Sequence, residues 1–544
     1  MAILKPLSCE GCPFQWKSKY ITPDNIIPNS EVLILAQAPG KNEEEGYKIV
    51  DYAWSGGKKI EEAVKVTPQP LIGATGHWLQ REFWPLTKLD YSKVSKANVI
   101  KCRPNGNNEL PNIGSNVPVN GITVTELKVA IEHCKKHYLY IPQTVKHVLA
   151  MGEVSLYTLT GEKLLHYKKG HNEIDATTGK KKEVKSTISE WRGWCLGVDL
   201  VEASILGLDD YYDCSLAGSS LFPHLVNVFP IMHLASLFQS EKFYHATLLD
   251  FIRFGNLVRG TWPEELPKIQ VNVIPSKIPK LVGFDTEYLQ DGTLTMWSMA
   301  DIDRNVYVVD AEYSHQLSNL PDQFTLATQN GLADLHHFLQ LLPESWHGKF
   351  LMEDCMLAHA TLWTGEPNSL DYMLSKYGTY NRHKHLRETH DVGKKYLYAG
   401  LDADSTLNVV WKSLLAEFGK DKLSWNEYKL RRQPLLYPIA RFQAKGIKVW
   451  KERVELLSKI FKDKIAAIEE EAKQITENPD FNIRSNTMLQ KALYQGQYSS
   501  ATDEKPKAKR QKPRVPKAKS LFKILEEELV EKADAINSIE EIRE

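Results

Sequence analysis

The sequence predicts an α/β protein with two sheet-containing regions and a helical C-terminal part. Short apolar runs such as EVLILAQAPG and LVNVFPIMH alternate with helical patterns up to about residue 259. Strands that alternate with helices are typical of a mainly parallel sheet. Another apolar strand, KLVGFDTEY, begins a second region of this kind at residue 280. Helical patterns dominate from 426 to 495, and a chain of 544 residues suggests about three or four domains.

Composition sets the expected domain boundaries. Residues 260–279 (GTWPEELPKIQVNVIPSKIP) are rich in proline and predict a linker. This linker would separate an α/β domain at 1–259 from a second one at 280–425. We expect a helical extension at 426–500, and a basic linker with an amphipathic helix at 501–544.

Hydropathy and cysteine content narrow the protein class. No run of about 18 apolar residues is present, so we expect no membrane-spanning helix and no membrane partner. Seven cysteines in 544 residues are too few for a disulfide scaffold, which favours a reducing, cytoplasmic compartment.

The charge of the chain is balanced overall but uneven near its end. The 68 basic and 68 acidic residues give a net charge of zero, yet residues 505–519 hold eight Lys and Arg and no acid. Residues 521–544 hold eight acids and three bases. The basic arm could bind DNA phosphates with a strong salt dependence, or it could be a solvated linker. The candidate DNA-binding residues are Lys505, Lys507, Lys509, Arg510, Lys512 and Arg514.

Four cysteines suggest a metal site in the first region. Cys9 and Cys12 form a CxxC pair, Cys102 lies in NVIKCRP, and Cys134 lies in IEHCKKHYL. Four thiolates can hold a tetrahedral zinc ion or an iron–sulfur cluster. Spacing alone does not choose between these two, and it also leaves open that the cysteines are buried and free.

The motifs around these cysteines resemble those of the iron–sulfur uracil-DNA glycosylases of families 4 and 5. CEGCPF matches their CxxCPL-type motif, and LILAQAPG (33–40) matches a strand that ends in a GEAPG-type loop. PLIGATGHWL (70–79), ANVIKCRP (97–104) and VFPIMHLASLF (228–238) match later motifs in the same order. The resemblance covers about residues 1–255 and implies a glycosylase-like α/β/α domain. It also implies a 4Fe–4S cluster on Cys9, Cys12, Cys102 and Cys134.

The same resemblance implies that uracil is excised from DNA. Such enzymes flip the base out of the helix and read its edge by hydrogen bonds, while a polar donor stabilises charge on the leaving base. Here Gln37 would orient the water, Asn98 would read the base edge and His233 would be the donor. However, Gln37 replaces a family glutamate, Leu71 replaces a stacking phenylalanine and Leu234 replaces a proline. A DNA-binding role without excision is therefore the alternative.

Paired carboxylates mark the start of the second region. LVGFDTEY places Asp285 and Glu287 two residues apart, on one face of a strand. Such a pair suits the metal ions that hydrolyse phosphodiesters, although it also occurs by chance on surface strands. KYLYAGLDADSTL predicts a helix with Tyr398 and Asp402 on one face, where the alternative is an ordinary solvated face.

Together these motifs resemble the 3′–5′ exonuclease domain of family A (DNA polymerase I type) polymerases, which has a ribonuclease H-like fold. EDCMLAHATLW and SLDYMLSKY also match that domain. The resemblance implies that Asp285, Glu287 and Asp402 bind Mg²⁺ or Mn²⁺ and that Tyr398 orients the attacking water. The family's second motif ends in an Asp ligand, but HGKF (347–350) matches it without that Asp. We therefore expect one metal position to be incomplete.

The C-terminal third resembles the beginning of a polymerase thumb. RRQPLLYPIARFQAKGIKV (431–449) and FNIRSNTMLQKAL (481–493) carry this resemblance, and no palm motif follows them. We expect the polymerase domain to lie on another chain, and a bacterial or phage-infected cell suits such a fusion.

Three functions follow from these patterns. The leading hypothesis is a metal-dependent 3′–5′ exonuclease of the proofreading type, which serves DNA replication or repair. The alternatives are a uracil-DNA glycosylase and a non-catalytic DNA-binding accessory subunit. The four intact residues of the exonuclease motifs favour the first hypothesis, whereas the missing Asp and the changes at Gln37 and Leu71 favour the last.

Overall fold

The computed structural model describes most of residues 3–495. The ranges outside the described residues are 56–57, 105–109, 114–117, 162–166, 175–180, 186–187, 200–203, 207–224, 238–242, 265, 274–277, 290, 314–323, 342–349, 389–390, 447 and 496–544. The chain forms two compact units, residues 1–445 and 446–544. Each unit is described separately below.

The first α/β region comprises residues 3–258. Its strands are β1 (Ile3–Leu4), β2 (Tyr20–Ile21), β3 (Val32–Ala36), β4 (Tyr47–Ser55), β5 (Lys58–Lys65), β6 (Ser95–Asn98), β7 (His147–Met151), β8 (Tyr167–Ile174), β9 (Lys181–Lys185), β10 (Leu196–Asp199), β11 (Ser204–Leu206) and β12 (Leu225–Ile231). Its helices are α1 (Lys41–Glu45), α2 (Ala74–Trp78), α3 (Trp84–Thr87), α4 (Val124–His137), α5 (Glu153–Thr160), α6 (Ile188–Trp191), α7 (Leu234–Leu237) and α8 (Tyr244–Val258).

A six-stranded sheet with the order β11-β10-β12-β7-β3-β6 organises this region. Strands β12, β7, β3 and β6 run parallel, whereas β10 and β11 pair antiparallel at one edge. The structure thus confirms the predicted α/β region with a mainly parallel sheet. Because the central strands are parallel, their carboxyl ends lie along the same edge, where the predicted pocket residues are found.

The central strands of this sheet are apolar along their whole length because both faces are covered. Every residue of β3 is buried, and Leu33 and Leu35 point into one core while Val32 and Ile34 point into the other. Successive side chains of a strand point to opposite faces, so a continuous apolar run indicates a sheet between two layers. The region is therefore a three-layer α/β/α arrangement.

The second α/β region comprises residues 269–445. Its strands are β13 (Ile269–Val271), β14 (Leu281–Tyr288), β15 (Leu294–Ala300), β16 (Val306–Asp310), β17 (Phe324–Thr328) and β18 (Phe350–Asp354). Its helices are α9 (Gly331–Leu341), α10 (Cys355–Leu362), α11 (Leu370–Tyr377), α12 (Val392–Asp404), α13 (Lys412–Phe418), α14 (Lys422–Glu427) and α15 (Gln433–Lys445). Strand β13 lies within the segment that the sequence predicted as a linker.

The sheet of this region has the order β13-β16-β15-β14-β17-β18. Strand β14 is antiparallel to β15 and parallel to β17, so this is a mixed sheet. Helix α12 lies close to it, because the Ser298 hydroxyl donates a 2.8 Å hydrogen bond to the Ala399 carbonyl. A side chain at Gly283 of β14 would come within 2.2 Å of the Ala403 carbonyl oxygen, so only glycine permits this approach. The close packing brings the last turns of α12 next to the carboxyl end of β14.

The second unit is helical where it is described. It contains α16 (Lys451–Thr476) and α17 (Asn486–Gln490), and Ala472, Phe481 and Ala492 form a small core. No helix among the described residues has the length and apolar character needed to cross a membrane. The predicted basic arm and terminal amphipathic helix lie outside the described residues.

Candidate functional site

Three carboxylates converge where β14 and α12 meet. One oxygen from each of Asp285, Glu287 and Asp402 can be chosen so that the three lie within 4.8 Å of one another. Asp285 and Glu287 share a face of β14, and the close approach of α12 supplies Asp402. The structure therefore brings together the three residues that the sequence selected as ligands of Mg²⁺ or Mn²⁺.

The electrostatics of this cluster disfavour three bare negative charges. Burial raises the pKa of Asp285 well above its usual range, and the charges of Asp334, Asp402 and Glu287 raise it further. Burial and the charge of Asp402 raise the pKa of Glu287 to about 7. Like charges in a poorly solvated site disfavour ionisation, and a bound cation reverses that effect. The carboxylate oxygens are also the ligand type that magnesium and manganese ions prefer, so the residues fit such an ion.

Tyr398 lies one helical turn before Asp402 on α12, and both side chains are buried. Burial raises the pKa of the Tyr398 phenol, and the nearby charges of Asp402 and Glu287 add to this. The phenol therefore stays protonated at neutral pH and can donate a hydrogen bond.

A fourth carboxylate, Asp334 of α9, adjoins the cluster, and the sequence analysis missed it. Its Oδ1 accepts hydrogen bonds from the Thr286 backbone N–H at 3.1 Å and the Thr286 hydroxyl at 2.6 Å. Its Oδ2 is buried without a hydrogen-bond partner among the described residues. Burial raises the pKa of Asp334 to about 7. The charge of Asp334 raises the pKa of Asp285, although Asp334 is not among the described carboxylates that lie within 4.8 Å of one another.

Asp334 also bears on the second exonuclease motif that the sequence analysis predicted. The sequence analysis placed this motif at HGKF and expected no Asp, but residues 347–349 lie outside the described residues and Phe350 begins β18. The sequence QNGLAD, residues 329–334, instead follows β17 and carries a carboxylate into the site. Asp354 has a different role: its Oδ1 accepts a 2.9 Å hydrogen bond from Leu357 N–H at the start of α10.

Two basic residues border the acidic cluster. His383 Nε2 lies 2.8 Å from Asp402 Oδ1, and the His383 side chain is buried. The positive charge of Arg387 offsets part of the rise in the pKa values of Asp285 and Glu287 that burial causes. The Arg387 side chain is exposed, so it can meet a phosphate that approaches the cluster.

A second group of polar residues lies at the carboxyl ends of the parallel strands of the first region. Gln37 follows β3, Asn98 ends β6, and His233 follows β12. A side chain at Gly152, just after β7, would lie 2.3 Å from Gln37 Nε2 and 3.0 Å from His233 Cβ, so these residues border one space. Burial lowers the pKa of His233 to about 4, so its imidazole is neutral at pH 7.

Glu43 is a buried carboxylate that the sequence analysis did not single out. It accepts hydrogen bonds from Leu71 N–H at 2.8 Å and from Asn98 Nδ2 at 3.4 Å. Burial raises the pKa of Glu43 to about 7. The Asn98 Oδ1 is buried without a partner among the described residues and could accept a hydrogen bond from a ligand. The position of Glu43, three residues after the QAPG turn, was the available signal.

Leu71, where the resembled family has a stacking aromatic ring, has an unusual backbone. Its φ of 61° lies in the left-handed region, which is rare for residues other than glycine. Its N–H donates to Glu43, and this hydrogen bond helps to hold the conformation. Such outliers persist where surrounding contacts fix them and concentrate at binding sites.

The four predicted metal-binding cysteines are close together and buried. Burial raises the pKa of Cys102 to about 11 and that of Cys134 to about 12, and the neighbouring thiols add to both rises. The 4.8 Å spacing that the acidic cluster meets is not met by any three of these cysteines, all of which are described. Cys195 is disulfide-bonded.

The candidate phosphate-binding residues of the basic arm all lie outside the described residues. They are Lys505, Lys507, Lys509, Arg510, Lys512 and Arg514. Their role in DNA binding stays a prediction.

Comparisons with known proteins give structural neighbours only. Neither a scan against protein-family models nor a search of curated proteins gives a match. A solved structure of NrnC from Brucella melitensis with bound Mg²⁺ aligns at 15% identity and a TM-score of 0.27, covering 34% of this chain and 98% of that chain. The POL domain of Pol1 from M. smegmatis, solved with DNA primer-template and dNTP, aligns at 17% identity and a TM-score of 0.32, covering 47% of this chain and 45% of that chain.

Proposed function

We propose that the chain is a metal-dependent exonuclease that removes nucleotides from the 3′ end of DNA. The observation that carries this proposal is the convergence of Asp285, Glu287 and Asp402 within 4.8 Å. Carboxylates that repel one another in a poorly solvated site are stabilised by a divalent cation, and such ions support phosphodiester hydrolysis. The neighbouring Tyr398 and Arg387 supply a hydrogen-bond donor and a phosphate-binding charge.

Each residue of the centre has a distinct task in this proposal. Asp285, Glu287 and Asp402 would hold the cation, which when bound supplies a Lewis acid for water and for the leaving oxygen. The Tyr398 hydroxyl would orient the attacking water towards the scissile phosphate. Arg387 would bind a non-bridging phosphate oxygen and so compensate its charge.

Asp334 completes the carboxylate set in the proposed mechanism. Its unpaired Oδ2 and its charge coupling to Asp285 support a role at a second cation position. Two cations a few ångströms apart can stabilise both the attacking and the leaving oxygen. In this proposal Asp334 would supply the carboxylate that the sequence analysis expected to be missing, beside the three that lie within 4.8 Å of one another.

The test is removal of nucleotides from 3′-labelled single-stranded DNA by the full chain in Mg²⁺ or Mn²⁺. We expect shortening by the unaltered protein and none by Asp285→Ala. Asp303→Ala is the matched control, because Asp303 is an exposed aspartate of the same region. Equal activity of Asp285→Ala and the unaltered protein would refute the proposal. DNA binding without shortening would favour the accessory-subunit alternative.

A second proposal is that the first region excises uracil from DNA. The specific observation is the buried, unpartnered Asn98 Oδ1 beside Glu43 and near the ends of the strands that carry Gln37 and His233. An oxygen of this kind can read the imide edge of a flipped uracil. Gln37 would orient water, and neutral His233 would donate to the base oxygen. Abasic sites in a uracil oligonucleotide, absent with Asn98→Ala, would support this; equal yields would refute it.

We also propose that Cys9, Cys12, Cys102 and Cys134 hold a 4Fe–4S cluster. A tetrahedral zinc site, with Zn–S bonds of about 2.3 Å, requires sulfurs roughly 3.8 Å apart. No three of the four sulfurs lie within 4.8 Å of one another, a spacing that would suit a group larger than a single ion. Iron and sulfide in anaerobically purified protein, with a visible absorption lost in Cys102→Ser, would support the cluster. Stoichiometric zinc without iron would refute it.

A further inference from the structure

The segment after α11 connects the two α/β regions to the acidic centre. It runs from Gly378 to the turn at Lys384–Glu388 and carries both basic residues that border the cluster. His383 Nε2 lies 2.8 Å from Asp402 Oδ1, so the placement of this segment affects the orientation of a proposed metal ligand. A carboxylate with one oxygen held in this way presents the other in a defined direction.

The first region binds this segment directly next to His383. Asn381 Nδ2 donates to the Cys195 carbonyl at 2.9 Å, and the Cys195 backbone N–H donates to Asn381 Oδ1 at 3.2 Å. The guanidinium of Arg382 lies 4.4 Å from the ring centroid of Trp191. Two consecutive residues before His383 therefore have partners in the first region.

The contacts extend to the beginning of the same segment. The Trp262 indole N–H donates to the Gly378 carbonyl at 3.2 Å, and the Glu264 N–H donates to the Thr379 carbonyl at 2.7 Å. Trp262 packs in the core of the first region, beside Phe229. The backbone of the segment is thus fixed to that core by hydrogen bonds.

Buried charged residues of the first region also bind the end of helix α11, just before this segment. Arg192 and Asp250 form a fully buried ion pair within the first region. Arg192 Nη1 also donates to the Ser375 hydroxyl at 2.8 Å, and Arg253 Nη1 donates to the Ser375 carbonyl at 2.5 Å and the Gly193 carbonyl at 2.8 Å. Removal of one member of such a network leaves buried groups unpaired, so the network holds the two regions in one arrangement.

We propose that the first α/β region positions the exonuclease centre, by fixing Asn381 and Arg382 so that His383 stays against Asp402. This inference rests on the proposed exonuclease function. Asn381, Arg382 and Trp191 act through His383 and are positioning residues. Geometry near reacting groups affects rate steeply, so a small displacement of His383 slows turnover more than it weakens DNA binding.

The test compares two substitutions in the full chain, Asn381→Ala and Trp191→Leu, with the conservative Trp191→Phe. We expect the first two to lower kcat for 3′ shortening about tenfold, with KM within about twofold of the unaltered protein. Trp191→Phe keeps an aromatic face for Arg382 and should restore kcat to within about threefold. Lys146→Ala, at an exposed ion pair of the first region, is the control with unchanged kcat.

Hydrogen exchange over residues 379–387 gives a readout that does not depend on activity. Faster exchange in Asn381→Ala and Trp191→Leu, with other peptides unchanged, is expected. Unaltered kcat in both variants of an active enzyme would overturn the positioning role alone. If the unaltered protein lacks metal-dependent shortening, the exonuclease proposal fails, and unchanged exchange in both variants would then overturn the anchoring as well.

Discussion

Both α/β regions hold carboxylates whose pKa burial raises, Glu43 on α1 of the first region and Asp285 and Glu287 on β14 of the second, but their surroundings differ. In the first region Glu43 accepts hydrogen bonds from Leu71 and Asn98, so protein donors offset part of the pKa rise that burial causes. In the second, Asp285 and Glu287 face Asp402, and their charges act on one another. A carboxylate compensated by donors can be retained without a cation, whereas a cluster of carboxylates depends on one. The comparison separates a hydrogen-bonded carboxylate in the first region from a candidate metal site in the second.

Removal of divalent metal should have the largest effect, because it should abolish one proposed activity and leave the other unchanged. We expect EDTA to abolish 3′ shortening of DNA, and Mg²⁺ or Mn²⁺ to restore it, because carboxylates that repel one another would need the cation and the proposed hydrolysis would need it as a Lewis acid. Uracil excision by the first region should persist in EDTA, since its proposed groups are Gln37, Asn98 and His233. Both activities are measured on one labelled oligonucleotide that contains uracil. Shortening that persists after chelation would contradict the proposal that the carboxylates bind a catalytic metal ion.

Substitution of Asp334 should have the next largest effect. Asp334→Asn keeps an acceptor for Thr286 but removes the charge beside Asp285, so we expect the rate of shortening to fall by on the order of 10² to 10³. The apparent Mn²⁺ affinity should also fall, as measured by electron paramagnetic resonance of the free ion. Glu43→Gln is the matched control, because Glu43 is a buried carboxylate of the other region. An Asp334→Asn variant with the full rate would remove Asp334 from the mechanism.

The sequence predicted the residues whose partners are near in the chain. Asp285 with Glu287, and Tyr398 with Asp402, follow from strand and helix periodicity, and both pairs lie where those periodicities put them. Asp334 was missed because the residue types of HGKF resemble the second motif. Of these two segments, QNGLAD is the one that follows a strand of the sheet, β17, and leads into a helix, α9. A search for carboxylates that come just after a predicted strand could have found Asp334.

Other features depend on contacts that no local pattern contains. The Leu71 N–H that donates to Glu43 belongs to a residue with a left-handed backbone. A leucine in the sequence does not predict this conformation, which is rare outside glycine. Asn381 meets Cys195 across 186 positions of the chain. The assembly of the two regions around the segment before His383 is therefore a tertiary property that the sequence alone did not reveal.

The smallest expected effect is on stability, and it concerns the buried carboxylate Glu43 of the first region. Burial raises the pKa of Glu43 to about 7 from an ordinary 4.5. Between these values the folded protein holds a proton that the unfolded chain has released, so this group lowers the free energy of unfolding as pH rises through that window. The loss is at most about 3 kcal/mol.

Glu43→Gln should remove this pH dependence, because the amide is neutral throughout and its oxygen can still accept from Leu71 N–H. We expect the Tm of the variant to rise relative to that of the unaltered protein from pH 5 to pH 8, with the difference levelling off above about pH 7. Glu31→Gln, at an exposed ion pair, is the control with a constant difference. If the Tm difference for Glu43→Gln were constant as well, Glu43 would be ionised in the folded protein across the range. Hydrogen bonds alone would then stabilise the charge of Glu43 in the first region, and the difference from the proposed metal site of the second region would be larger.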